Sequence, residues 1–208
     1  MKKCLAILLC MLLTCSWAFA EETEAADAVS SVTLKIEKLP AVEPQDNGIL
    51  VAFFSPNDTT RAAAYAIAAG LSADLFEIEA AEPYTEDDLN YFNSFSRSME
   101  EMKDKKARPA VAALPEDLDR YDTILLGYPV WGGFAPKIML TFLESVDLSG
   151  KTIVPFCTSN SSPFGNSDAE LKKLTDDTVT WKKGTRITKG WTAEQIIEKA
   201  PEILNPEE

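Results

Sequence analysis

The sequence predicts an α/β doubly wound domain, a parallel sheet with helices on both faces. Three observations predict it. The apolar runs ILVAFF, DTILLGYP and KTIVPFC are continuous rather than alternating, as in strands buried on both faces. Helical patterns at residues 60–72, 85–109 and 136–146 separate them. The loops that follow them, SPNDTTR, GYPVWGGFAP and CTSNSSPFGNS, gather hydroxyls, amides and glycines where such sheets bind ligands, beyond the carboxyl ends of the strands.

The elements follow in order. Residues 49–54 form the first strand, and the Ala-rich stretch 60–72 the first helix. ADLFEIE, from Ala73, is the second strand. The stretch 85–109 carries a longer helix, with Thr85 as N-cap, acidic residues in the first turn and Pro109 as its stop. Tyr91, Phe92 and Phe95 fall on it as a core stripe, with Tyr91 or Phe95 the candidates to roof a pocket. DTILLGYP is the third strand, and residues 136–146 a third helix with Pro136 near its first turn. KTIVPFC is the fourth strand, residues 167–174 a short helix and TVTWKKGTRI the fifth strand. WTAEQIIEKA closes the domain, which spans residues 48–203. Trp181 and Trp191 read as packing residues.

The N-terminal region stands apart. MKKCLAILLCMLLTCSWAFA has two lysines, an apolar core and Ala18-Phe19-Ala20, the plan of a secretory signal cleaved after Ala20. Lipidation at Cys15 is the weaker reading, because Thr14 before it is not a small residue. The apolar run is too short for a stable membrane span, and Lys-Lys in place of a twin-Arg pair implies export as an unfolded chain. Residues 21–47 are an acidic segment and linker, with Val32, Leu34 and Ile36 alternating as a short strand or arm.

Composition then narrows the chemistry. The 208 residues are 46% hydrophobic and 25% charged, which suits one domain with a full core. The net charge of −13 excludes nucleic acid and anionic membrane as partners. Loss of Lys2 and Lys3 takes the 20 basic residues to 18 against 33 acidic, a net of −15. Cleavage also removes Cys4, Cys10 and Cys15, so Cys157 has no partner for an intrachain disulfide. It ends an apolar run and reads as a buried structural thiol. The chain has no His, which removes Ser-His and Cys-His catalysis.

GYPVWGGFAPKIMLTFLESVDLSGKTIVPFCTSNSSPFGNS resembles the third strand, flavin loop, helix, fourth strand and following loop of the flavodoxin family. The resemblance extends over about residues 48–200 and is to the branch without an insertion in the fifth strand. It implies a five-stranded sheet of order 2-1-3-4-5 and non-covalent binding of flavin mononucleotide (FMN). The family's phosphate pattern, S-x-[ST]-G-[NT]-T, falls on Ser55, Asn57, Asp58, Thr59 and Thr60, with the hydroxyls of Ser55, Thr59 and Thr60 and the helix start as donors. Pro129, Val130, Trp131, Gly132, Gly133 and Phe134 match the loop against the isoalloxazine, with Trp131 the stacking residue. Thr158, Ser159, Asn160, Ser161 and Gly165 match the loop whose amides meet the pyrimidine edge.

Two of the three loops depart from the family. Asp58 stands where the pattern has glycine; Asp tolerates positive φ, but a carboxylate ~6 Å from a phosphate charge costs about 2–3 kcal/mol at an effective dielectric near 20. Arg61 either pairs with it or lies in solvent. Ser159-Asn160-Ser161 replaces a His-Gly-Gly-like run, and Pro163 removes an amide donor. Two functions of different kinds follow. One is an exported flavoprotein that passes electrons to a redox partner, or carries out an NAD(P)H/quinone-type reduction of a quinone-like acceptor. The other is an exported flavodoxin-like domain without flavin, acting as a binding or scaffold protein. Hydrolysis by a serine of the third loop lacks a general base.

Overall fold

The computed structural model describes residues 39–207. The expected signal sequence and the expected strand or arm at residues 32–36 lie outside the described residues. In chain order the elements are β1 (Ile49–Phe53), α1 (Thr59–Leu71), β2 (Asp74–Glu77), α2 (Arg97–Lys103), β3 (Thr123–Pro129), α3 (Lys137–Ser145), β4 (Thr152–Thr158), α4 (Ser167–Lys172), β5 (Thr180–Trp181), β6 (Thr185–Ile187) and α5 (Ala193–Leu204). A 3-10 turn at Leu118–Arg120 leads into β3.

The sheet runs β2-β1-β3-β4-β5, all parallel, with β6 also paired to β4. The predicted fifth strand is thus two short ones. Between them Gly184 lies under the ring of Phe164, and a Cβ there would stand 2.4 Å from that ring.

Successive residues of each strand feed opposite faces, which is why the strands read as unbroken apolar runs. Val51, Phe53, Leu125, Val154 and Phe156 pack with α1 and α5. Leu50, Ala52, Ile124, Leu126, Tyr128 and Cys157 pack with α3 and with Leu171 of α4. Each large apolar side chain buried in these layers contributes about 1.5–3 kcal/mol. The Ala-rich face of α1 lets α5 approach closely; α5 starts on a capping box between Thr192 and Gln195 and runs through Pro201. Trp181 and Trp191 pack against the two core layers, as the sequence implied.

The long helix at 85–109 does not form. Only Arg97–Lys103 is helical, preceded by successive turns. The asparagines explain it: Asn90 Oδ1 accepts from the Phe92 N–H (3.1 Å), and Asn93 Oδ1 from the Phe95 N–H (3.0 Å). These side chains offer the backbone a local alternative to the helical ladder. Tyr91, Phe92 and Phe95 are accordingly 69%, 80% and 80% exposed, so they form no core stripe and roof no pocket.

No helix among the described residues is long and apolar enough to cross a membrane, and they contain no His/Cys/Asp/Glu cluster suited to a metal ion.

Candidate functional site

Three loops meet at the carboxyl end of the sheet. The first leaves β1 through buried Phe54 and Ser55, and Asp58 is the N-cap of α1. Asp58 takes φ +62°, the left-handed conformation that glycine adopts without cost. The Thr59 N–H donates to the Asn57 carbonyl (2.8 Å), and the Arg61 N–H to Ser55 Oγ (2.9 Å). The N–H groups of Asn57, Asp58 and Thr60 meet no acceptor among the described residues. Three free amides at the start of a 13-residue helix, with the Ser55 hydroxyl beside them, make a donor set that fits a phosphate.

Thr60 has a different role from the one its place in the pattern implies. It is fully buried, and its Oγ1 lies 2.7 Å from Oγ1 of Thr158, also buried. The two hydroxyls tie the first loop to the end of β4. The second and third loops are bound together as well: the Val130 N–H donates to the Thr158 carbonyl (3.2 Å), and the Asn166 N–H to the Gly133 carbonyl (3.1 Å).

Within the second loop, Trp131 and Phe134 exchange two backbone hydrogen bonds of 2.9 Å. Gly132 and Gly133 turn between them at φ +56° and +86°, as a two-residue hairpin of this hand requires. Met102 of α2 covers Gly132. Trp131 is half-buried, edge-on to Phe54 (5.9 Å between centroids) and Tyr84 (5.8 Å). Tyr84 is fixed by its own partners: its hydroxyl donates to Glu101 (2.6 Å), and the Arg97 guanidinium lies 4.1 Å over its ring. Burial and the Glu101 carboxylate hold the Tyr84 hydroxyl protonated far above its usual range. In the third loop, Ser159 is half-buried and Asn160, Ser161 and Gly165 are exposed. The Arg186 guanidinium reaches the carbonyls of Ser161 (3.4 Å) and Ser162 (3.3 Å) and steadies the tip.

Arg61 pairs with Asp58, and also forms a two-point bridge to Glu77, with Nε to Oε2 at 3.0 Å and Nη2 to Oε1 at 2.5 Å. Glu77 was not a residue the sequence singled out. It becomes a neighbour only through topology, because β2 lies beside β1 with Glu77 opposite Phe53. A cleft of about 240 Å³ opens along this edge, lined by Phe54, Ser55, Arg61, Glu77, Ile78 and Tyr84 among others. It adjoins the first loop and lies to one side of the second and third, and of the residues the sequence singled out Ser55 and Arg61 line it.

Cys157 and Tyr128 are buried beneath the site. Burial pushes the Cys157 thiol up to about 12, so it is inert as a nucleophile. The Tyr128 hydroxyl donates to Ser167 Oγ (3.2 Å), which donates to the Phe164 carbonyl (2.5 Å) and so fixes the start of α4.

Comparison with known proteins bears on this arrangement. A family model described as Flavodoxin matches residues 48–202. A candidate flavoprotein from Bacteroides eggerthii DSM 20697 is 42% identical over 74% of this chain and 96% of its own, with a TM-score of 0.68. A second, from Bacteroides uniformis ATCC 8492, is 40% identical over 72% of this chain and 95% of its own, with a TM-score of 0.67. A flavoprotein from Lactobacillus acidophilus NCFM, solved in complex with FMN, is 19% identical over 66% of this chain and 91% of its own; with a TM-score of 0.57 it shares the fold. No curated protein sequence matches the chain.

Proposed function

The chain belongs to the flavodoxin family, and from that premise we propose that it is an exported flavoprotein that holds FMN without a covalent bond and passes electrons to a partner or small acceptor. The observation that carries this reading is the first loop: Asp58 keeps the left-handed backbone, and the amides of Asn57, Asp58 and Thr60 are free. The solved complex of a fold relative with FMN supports the choice of flavin.

In this reading each group has a task. The free amides and the hydroxyls of Ser55 and Thr59 hold the phosphate, and the helix dipole adds to their pull. Thr60 and Thr158 lock the first loop to the third, so the cradle is set before the ligand arrives. Trp131, anchored by Phe54 and Tyr84, offers the isoalloxazine its remaining surface. Phe134, 41% exposed, shields the same loop from water. The backbone amides of Asn160 and Ser161 meet the pyrimidine edge, since that of Ser159 already donates to the Ile187 carbonyl (3.2 Å). Bound FMN supplies the redox chemistry, one or two electrons at a time, and no side chain need act as acid or base. In this reduction NAD(P)H is the hydride donor and a quinone-like group the acceptor, outside the cytoplasm.

A second reading has one observation in its favour, the Asp58 carboxylate at the phosphate cradle. It makes the domain an exported, flavin-free binding protein. Gel filtration of the mature chain mixed with excess FMN separates the two. Yellow protein with a shifted flavin spectrum supports the first, and colourless protein at micromolar concentration refutes it.

A further inference from the structure

We propose that Arg61, anchored by Glu77, is a positioning residue that neutralises Asp58 and so lets an aspartate stand at the glycine position of a phosphate loop. The inference rests on the FMN reading. Its ground is a three-residue network that spans two elements. Arg61 sits in the first turn of α1, three residues after Asp58, and Glu77 at the end of β2. All three guanidinium nitrogens are engaged, Nε and Nη2 by Glu77 and Nη1 by Asp58.

Burial assigns the parts. The Glu77 and Arg61 side chains are 23% and 30% exposed, and that of Asp58 is 71% exposed. The fixed half is the fork-to-fork Arg61–Glu77 pair, whose planar geometry sets where the third nitrogen points. It points at Asp58. The Asp58 side chain alone would be free to swing toward the cradle; held by Arg61, its charge is compensated and drawn along the first turn. The left-handed backbone already supplies what glycine would have supplied in shape. Arg61 supplies what glycine would have supplied in charge. Asp58, Glu77 and Arg61 together still leave one net negative charge, so the cradle's attraction for phosphate comes from its amides and hydroxyls.

The test is a double-mutant cycle on the mature chain, with FMN and riboflavin as ligands. Riboflavin lacks the phosphate. Arg61→Gln is expected to weaken FMN binding about tenfold, the solvent-screened effect of one uncompensated charge near the phosphate, and to leave riboflavin binding unchanged. In the Asp58→Asn background, Arg61→Gln is expected to change FMN affinity less than threefold. An equal loss in both backgrounds overturns the inference, because Arg61 then meets the phosphate itself. A parallel loss of riboflavin binding also overturns it, because the role is then structural. If the parent chain takes no FMN and Asp58→Asn does, Arg61 does not neutralise Asp58, and the inference falls together with the FMN reading of the parent chain, whereas the two outcomes above overturn the inference alone. If neither takes FMN, the functional reading falls and the inference with it.

Discussion

Alanine at Gly165 tests whether the second and third loops interlock as described. Gly165 has φ +62°, and a Cβ on it would lie 2.3 Å from the Gly133 carbonyl oxygen and 3.1 Å from the Gly133 Cα. An ordinary C···O contact is about 3.3 Å or longer, so one backbone must move by roughly 1 Å. Left-handed backbone costs an L-residue about 1–2 kcal/mol, and forced overpacking adds about 1–3 kcal/mol. Gly133→Ala is the internal control. Its φ is +86°, but a Cβ there meets nothing within 4 Å, so it carries the backbone strain without the clash. Urea unfolding, compared at equal m-value, should therefore place Gly165→Ala below Gly133→Ala by about 1–3 kcal/mol. If the loop yields locally instead, exchange of the Asn166 N–H, which donates to the Gly133 carbonyl, speeds up in Gly165→Ala. Equal stability and equal exchange in the two variants would refute the interlock.

Two further outcomes follow from buried groups. Thr60→Val or Thr158→Val alone leaves one hydroxyl unpaired in the core, at a cost of about 1–3 kcal/mol, while the double variant should lose clearly less than the sum because no orphan remains; additive losses in urea melts would refute the pairing. Cys157, with its thiol pushed up to about 12 by burial, should resist an aromatic disulfide reagent at pH 8 until the chain is unfolded. The sign of the linkage is fixed by the raised value. Above about pH 8.5 the unfolded chain releases a proton that the folded chain keeps, so stability falls by up to about 1.4 kcal/mol per pH unit as pH rises toward 12. Cys157→Ala should remove that slope between about pH 8.5 and 9, before the unfolded chain's tyrosines lose protons near their ordinary value of about 10.

Much of the domain was legible because local chemistry and burial agreed. ILVAFF, TILLGYP and TIVPFC are apolar on both faces, and the sheet uses both, so run and strand coincide. The family resemblance then ordered the strands, and the observed β2-β1-β3-β4-β5 path agrees. The stretch from Thr85 to Ser96 departs from its helical pattern for a physical reason. Its caps and acidic residues resemble a helix start, but Asn90 and Asn93 capture their own neighbours' amides and close turns. Of the candidate site, the loop positions were visible in the sequence and the connections between loops were not. Thr60 and Thr158 are 98 residues apart, and nothing local says that their hydroxyls meet. Glu77 is hidden in the same way, since a charged residue at the end of a strand is ordinary until the neighbouring helix is placed.

In the proposed reading, three loops at the carboxyl end of the sheet form a flavin site despite Asp58. Titration of the mature apoprotein with FMN, followed by quenching of flavin fluorescence, tests it most directly. Quenching should saturate at one flavin per chain at micromolar protein. Flavin fluorescence that stays unquenched at a tenfold excess of protein would contradict it.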